Sequence, residues 1–380
     1  MQTPRLEIDL DKIEYNARAV RKLYGSRGIR ITAVTKGVCA VPQVARALLH
    51  AGIPSLGDSR LHNVRKMRQA GVRAEFMLIR SPMLSKAAEV VEWADVSLNS
   101  EMAVIRALSK YAVKRGKRHR VILMVELGDL REGILVENVA QIVAETLSLP
   151  GIDLYGIGTN LACFGGIKPT GKKMQMLSAI ANDIERTFTL HLRVVSGGNS
   201  ANYQWFTSTP DVGRVNHLRI GESILLGCDP LTRQPISGLH SDAFTLVAEV
   251  IELKTKPSRP YGETAQDAFG HVPHFEDNGD RKRAILALGR QDVDVSAIKP
   301  QIKADVLGAS SDHLILDATD ADLRLGGEVR FDLAYSALLR ATTSPYVAKA
   351  CLPQADALER ARYRRHWQQR LAYRPLTMQG

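Results

Sequence analysis

Residues 29–37 read Ile29-Arg-Ile-Thr-Ala-Val-Thr-Lys36-Gly37, an apolar and β-branched run that ends on a lysine and a glycine. Apart from Arg30, every residue before Thr35 is apolar, β-branched or both, the composition of a buried parallel strand. If this is the first strand of an α/β barrel, its last side chain is presented at the mouth, where barrels carry their functional groups. Apolar walls around Lys36 would disfavour the ammonium form, lower its pKa and leave a neutral amine. Such an amine condenses with an aldehyde to form a Schiff base. Most lysines at strand ends are simply solvated, so the stretch alone favours that reading and the functional one depends on the other strand ends.

Outward from this strand the pattern repeats. A short strand at Leu6–Leu10 precedes a helix capped near Asp11, with Ile13, Ala17, Val20 and Leu23 at helical spacing. After Lys36, residues 41–50 form a helix with Pro42 in its first turn. Apolar strands at 55–59, 75–79, 95–99, 121–127 and 154–158 each precede a helical segment, and 192–196 and 218–221 complete the set. With the Lys36 strand this makes eight, spread over roughly 220 residues, the size of a (β/α)8 (TIM) barrel. A doubly wound open sheet is the competing arrangement. The absence of GxGxxG after the first strand and the count of eight weigh against it.

Near residue 235 the alternation stops. Strand-like runs at 244–254, 284–288, 313–316 and 328–332 follow with little helix between them. The expected organisation is a barrel over 1–235, a mostly β domain over 236–350 and a basic, helical tail over 351–380. The pair His271 and His274 lies in a polar, loop-like stretch without firm further ligands, so no metal site is expected.

The composition, 45% hydrophobic and 24% charged, is that of a globular protein, and no apolar run approaches a bilayer span. The N-terminus lacks the apolar core of a signal peptide, and the four cysteines show no CxxC pairing. Both features lead to the expectation of a cytoplasmic protein with no membrane association. The net charge of +11 owes part of its size to the run around Arg360–Arg370. Elsewhere bases alternate with acids on helix faces, which disfavours nucleic acid as the main partner.

The strand ends carry unusual residues. Besides Lys36 they present Asp58-Ser-Arg60, Asn99-Ser-Glu101, Gly128-Asp-Leu-Arg131-Glu-Gly133, Thr159-Asn160, Ser196-Gly-Gly-Asn-Ser200 and Arg219-Ile-Gly-Glu222. The last two combine small residues, hydroxyls and backbone N–H groups as a phosphate cradle does. A phosphorylated aldehyde beside a lysine points above all to pyridoxal 5'-phosphate (PLP).

The motifs Ala33-Val-Thr-Lys-Gly, Leu127–Gly133, Gly158-Thr-Asn160, Ser196–Ser200 and Leu218-Arg-Ile-Gly-Glu222 together resemble the alanine/ornithine racemase group of PLP enzymes, most nearly its ornithine racemase branch. The resemblance runs in order from residue 3 to about 350 and leaves the basic tail outside. It implies the alanine-racemase fold, a barrel followed by a β domain, in a homodimer whose active sites are completed across the interface. It implies a small amino-acid substrate and assigns roles. Lys36 would bind PLP and act as one acid/base at Cα, and Arg219 would face the pyridine nitrogen. Asn199, Ser200, Gly221 and the Glu222 N–H would hold the phosphate, with Asn160 also against the cofactor. Arg131 would sit by the phenolic oxygen and the substrate carboxylate. The second base would be Tyr261, in Tyr-Gly262, supplied by the partner subunit. Gln291 and Asp292, in Gly289-Arg-Gln-Asp-Val-Asp294, would contact the substrate.

Two departures from alanine racemase stand out. Ala40 occupies the position of a phosphate-holding tyrosine, and Gly158–Phe164 replaces an aromatic or histidine-rich strand end. A roomier pocket follows, in which Asp292 or Asp267 would select a cationic side chain such as that of ornithine or lysine. Two other functions compete with racemisation: a PLP decarboxylase of the same fold, and a non-catalytic PLP-binding protein. The decarboxylase expects a different glycine-rich phosphate loop, and the binding protein has no β domain.

Overall fold

The computed structural model describes residues 2–352. Of the tail expected over 351–380, Cys351 ends a strand and Leu352 follows it, and residues 353–380 lie outside the described residues. The chain divides into two compact units: one runs Leu10–Ser241, the other joins the residues up to Asp9 with those from Asp242 onward.

The first unit opens with the helix α1 (Leu10–Gly25), which follows the chain's first strand, β1 (Arg5–Ile8). Next come β2 (Arg30–Val34), α2 (Pro42–His50), β3 (Ser55–Asp58), α3 (Leu61–Gln69), β4 (Glu75–Leu78) and α4 (Ala87–Trp93). They are followed by β5 (Val96–Asn99), α5 (Met102–Lys114), β6 (His119–Met124), α6 (Val139–Ser148), β7 (Ile152–Gly158) and α7 (Gly171–Phe188). The last turns of the barrel are β8 (Val194–Ser196), α8 (Tyr203–Ser208), β9 (His217–Ile220) and α9 (Glu222–Leu226).

Strands β2 to β9 are the eight expected from the sequence, and they close into a parallel barrel. Closure is made by β2 pairing with β9, Ile31 opposite Leu218 and Thr32 opposite Arg219. Met77, Val96, Leu98, Ile122, Met124 and Val194 form a packed apolar core cluster. The barrel also buries Thr32, Ser55, Ser97, His119, Ser196, His217 and Arg219, so part of its interior is polar. Buried polar groups on this scale must be paired. At the close approach of β3, a Cβ on Gly57 would lie 3.0 Å from the side chains of both Thr32 and Ile79.

Helices α8 and α9 are not expected from the sequence. Only five residues long, α9 buries Ser223, Ile224, Leu225 and Leu226, so it shows no amphipathic stripe.

The other unit is built on β10 (Phe244–Pro257), β11 (Asp280–Leu286), β12 (Ile298–Pro300), β13 (Asp305–Ala309), β14 (Leu314–Asp317), β15 (Glu328–Leu333), the helix α10 (Tyr335–Thr343) and β16 (Ala348–Cys351). The sheet order is β12-β15-β10-β11-β14-β13. Its ladders are antiparallel except where β1 lies parallel to β16. This strand is where the expected boundary differs. Residues 1–9 read as the start of the barrel domain, yet β1 pairs with β10 and β16. The strand buries Leu6 and Ile8 completely and carries a charged lattice through its alternate residues. The nearly buried Arg5 donates to Glu328 through both Nη atoms at 2.6 and 2.7 Å and to Glu7 through Nε at 2.9 Å. Glu7 in turn accepts from Arg330.

Candidate active site

Lys36 is the first residue of a short 3-10 turn (Lys36–Val38) that follows β2. The turn is anchored from β3. Thr35 donates its N–H to Gly57 O at 2.8 Å and its hydroxyl to Asp58 Oδ2 at 2.8 Å. Asp58 is fully buried and also accepts from the Arg60 N–H at 2.9 Å and Asn63 Nδ2 at 3.0 Å. Burial raises the Asp58 pKa, against the pull of those three donors and of the Lys36 charge. Burial likewise lowers the Lys36 pKa, assisted by the positive charges of Arg131 and Arg219 and opposed by Cys163 and Asp58. The lowered lysine pKa expected from the sequence therefore has a physical basis here.

Arg131 lies in the loop after β6. It pairs with Glu132, which raises its pKa, and donates through Nη1 to Cys163 Sγ at 2.8 Å. The partner of this loop is the stretch after β7. The buried Asp129 accepts from the N–H groups of Cys163 at 3.2 Å and Phe164 at 3.0 Å. Asp129 thus sets Cys163 under Arg131. Neither role is legible in the sequence, because both depend on contacts across more than thirty residues of chain.

Arg219 is buried on β9. It donates through Nη1 to Ser196 Oγ at 2.5 Å and through Nη2 to Thr159 O at 2.8 Å and Asn160 Oδ1 at 3.4 Å. Burial pulls its guanidinium down to about 10, still cationic at neutral pH. Asn160 Oδ1 also accepts from Asn199 Nδ2 at 3.2 Å, while its own Nδ2 is buried with no partner among the described residues.

The expected phosphate loops meet at the ends of β8 and β9. Ser200 Oγ accepts from the N–H groups of Gly221 and Ser223, each at 3.2 Å, so its own hydrogen remains to be donated. The N–H groups of Ser200 and Glu222 donate to nothing among the described residues. Asn199 is occupied otherwise. Its Oδ1 caps the Ala201 N–H at 2.8 Å and its Nδ2 reaches Leu161 O at 2.9 Å, so it shapes the loop. The Glu222 side chain pairs with Arg233, and burial raises its pKa.

Tyr261, Gln291 and Asp292 belong to the β-rich unit. Tyr261 is 93% exposed in the irregular stretch between β10 and β11, and Gln291 is exposed. Asp292 requires a correction. It is buried, with Oδ2 accepting from the Gly289 N–H at 3.1 Å and Oδ1 from the Ser344 hydroxyl at 2.9 Å. Both oxygens brace this loop, and the role of selecting a cationic side chain does not carry to Asp292. Asp267 is exposed and accepts from the N–H groups of Phe269 and His271 at 2.8 and 2.9 Å, bonds that lower its pKa.

These donors test whether PLP fits. A hydroxyl and two unpaired N–H groups suit a phosphate, an unpartnered buried amide suits a polar ring substituent, and a lysine with lowered pKa suits an aldehyde. The residues present fit the group.

Comparison with known proteins agrees. Residues 8–230 match the family described as alanine racemase, N-terminal domain. The chain is 39% identical over 353 residues to the ornithine racemase of Acetoanaerobium sticklandii, covering 92% of this chain and 99% of that protein. It is 41% identical over 355 residues to the lysine racemase of Thermotoga maritima, covering 93% and 99%. Among solved structures, an alanine racemase of Clostridium difficile 630 in complex with cycloserine superposes with a TM-score of 0.72 at 19% identity, covering 92% of this chain and 95% of that one, which establishes the shared fold. The chain belongs to the alanine racemase N-terminal domain family, a family of PLP-dependent racemases.

Proposed function

We propose that this protein is a PLP-dependent racemase that interconverts the L and D forms of an amino acid with a cationic side chain, ornithine and lysine first. One observation carries the reading: the half-buried Lys36 amine shares the mouth of one barrel with Arg131, Arg219 and Asp58, whose charges act on it. The substrate class rests on the two long relatives, whose names specify ornithine and lysine.

When bound, PLP supplies an aldehyde for an amino group to join and a conjugated ring that acidifies the Cα–H bond. Lys36 would hold it and, as a neutral amine, move the proton at Cα. Ser200, through its hydroxyl and N–H, and the Glu222 N–H would hold the phosphate, with Asn199 and Gly221 shaping that cradle. Arg219 would face the ring nitrogen, where a guanidinium keeps its protons and leaves the nitrogen unprotonated. Asn160 would donate its spare Nδ2 hydrogen. Arg131 would bind the substrate carboxylate by its fork of N–H donors. Inversion needs a base on the opposite face of Cα. We assign it to Tyr261 from the partner subunit of a homodimer, with Gln291 as a substrate contact and Asp267 as the carboxylate that favours a cationic side chain. A cytoplasmic setting suits the four free cysteines. No described helix is long and apolar enough to cross a membrane.

The test incubates the purified protein with PLP and a panel of L-amino acids in D2O and follows α-deuteration and chirality. Inversion with label on ornithine or lysine is expected. Release of CO2 would make the protein a decarboxylase, and silence across the panel would make it a binding protein. In Lys36→Ala, borohydride should no longer attach PLP to the chain, and racemisation should fall on the order of a thousandfold.

A further inference from the structure

Below Arg219, four hydrogen bonds run down the barrel interior. Arg219 Nη1 meets Ser196 Oγ at 2.5 Å, and Ser196 Oγ meets His217 Nδ1 at 2.8 Å. His217 Nε2 then meets Thr32 Oγ1 at 2.9 Å, which meets Ser55 Oγ at 2.8 Å. All five residues are buried, and they sit on β9, β8, β2 and β3. Ser55, Thr32 and His217 line a cavity of about 300 Å³ at the start of the strands, opposite the Lys36 end.

The direction of this column is set by its top member. A guanidinium can only donate, so Ser196 Oγ must accept from Arg219. The Ser196 hydrogen then needs an acceptor, and among the described residues His217 Nδ1 is the one in reach. His217 must therefore be neutral with its hydrogen on Nε2, which it gives to Thr32, and Thr32 gives its own to Ser55. The opposite tautomer would strand the Ser196 hydrogen in a buried site. Each bond polarises the next in the same sense.

The column also answers an electrostatic need. Arg219 is 4% exposed, and its hydrogen-bond partners among the described residues are all neutral. A buried cation without a paired carboxylate must be held by oriented dipoles. Ser196, backed by His217, is the first of them. With Nη1 tied to Ser196 and Nη2 to Thr159 O, the guanidinium plane is fixed, and the unused N–H groups keep one direction.

We propose that His217, acting through Ser196, is the positioning residue that holds Arg219 in register for the ring nitrogen of PLP. This rests on the proposed function for the identity of the ligand, while the hydrogen-bond direction stands on the geometry alone.

The experiment has two arms. In PLP-free protein labelled with 15N-histidine, His217 should show a bare Nδ1 and a protonated Nε2. A protonated Nδ1, or a mixture, overturns the proposal. In the second arm, 15N-labelled PLP is titrated into wild type, Ser196→Ala and Ser196→Thr. Ser196→Ala should raise the dissociation constant about tenfold and move the ring-nitrogen signal, and Ser196→Thr should restore both. Should Ser196→Ala fail to fold, His217→Gln is measured instead, with a weakened affinity and a moved signal expected. A variant that loses thermal stability but keeps affinity and signal would show a structural role only and overturn the proposal. Wild type that fails to bind PLP at all would overturn the proposed function together with this inference, whereas normal wild-type binding with unaltered variants overturns this inference alone.

Discussion

The Thr35 hydroxyl donates to Asp58 Oδ2 at 2.8 Å, one residue before Lys36. This bond joins the ends of two neighbouring barrel strands and holds the turn that presents the lysine. The carboxylate also favours the charged form of Lys36. Asp58→Asn should therefore lower the Lys36 pKa further. Reductive methylation of Lys36 in PLP-free protein should become efficient at lower pH than in wild type; an unmoved profile would show that the carboxylate does not act on the amine. The buried donors left facing an amide should cost about 1–3 kcal/mol of stability in urea unfolding.

Gly198 adopts φ +142°, and a Cβ there would sit 2.2 Å from Asn202 Oδ1. That oxygen accepts from the Asn199 N–H at 3.0 Å and helps hold the loop carrying Ser200. Gly198→Ala should store about 1–3 kcal/mol of backbone strain. It should weaken inorganic phosphate and PLP binding together, by roughly tenfold as read by calorimetry, since about 1.4 kcal/mol corresponds to each decade. Loss of PLP affinity with unchanged phosphate affinity would place the cradle elsewhere.

Two buried histidines make the barrel acid-sensitive. Burial first, and then neighbouring arginines, push His119 down to about 4 and His217 down to about 3. Their unfolded forms take up a proton near pH 6.5, so between about 6.5 and 4 the unfolded chain binds more protons than the folded one. Stability should fall as pH falls through that window and level off above it. His119 alone accounts for roughly 3 kcal/mol of this loss when fully developed. A thermal midpoint followed from pH 8 to 4 checks the trend, and His119→Phe should flatten the acid limb.

Cys163 is the exposed thiol of the four and lies against Arg131 Nη1, whereas burial pushes Cys228 up to about 11 and raises Cys351. Iodoacetamide at neutral pH should label Cys163 well ahead of Cys228 and Cys351, and PLP with substrate should protect it. Peptide mass mapping reads the order. Labelling of Cys228 first would contradict the burial argument.

The barrel strands are legible in the sequence because each is a local run of apolar, β-branched residues bounded by polar strand ends. The same periodicity locates most barrel helices, and it fails at α8 and α9, where the segments are too short and α9 too evenly buried to show a stripe. The residues at the strand ends are likewise legible as a set, since a barrel gathers successive strand ends at one mouth.

What the sequence by itself determined, then, is the barrel and the inventory at its mouth: Lys36, Arg131, Asn160, the Ser196–Ser200 loop, Arg219 and Glu222. Only the tertiary structure decided which of these groups remain free. Asn199 is consumed in capping, Asp292 in bracing its own loop, while Ser200 and Glu222 keep hydrogens to give. It also decided that β1 pairs with β10 and β16, and that Asp58, Asp129, Ser196 and His217 stand behind the charged groups at the mouth. The physical reason is that a hydrogen bond depends on register and distance across strands far apart in the chain, and residue order along one strand carries no information about either.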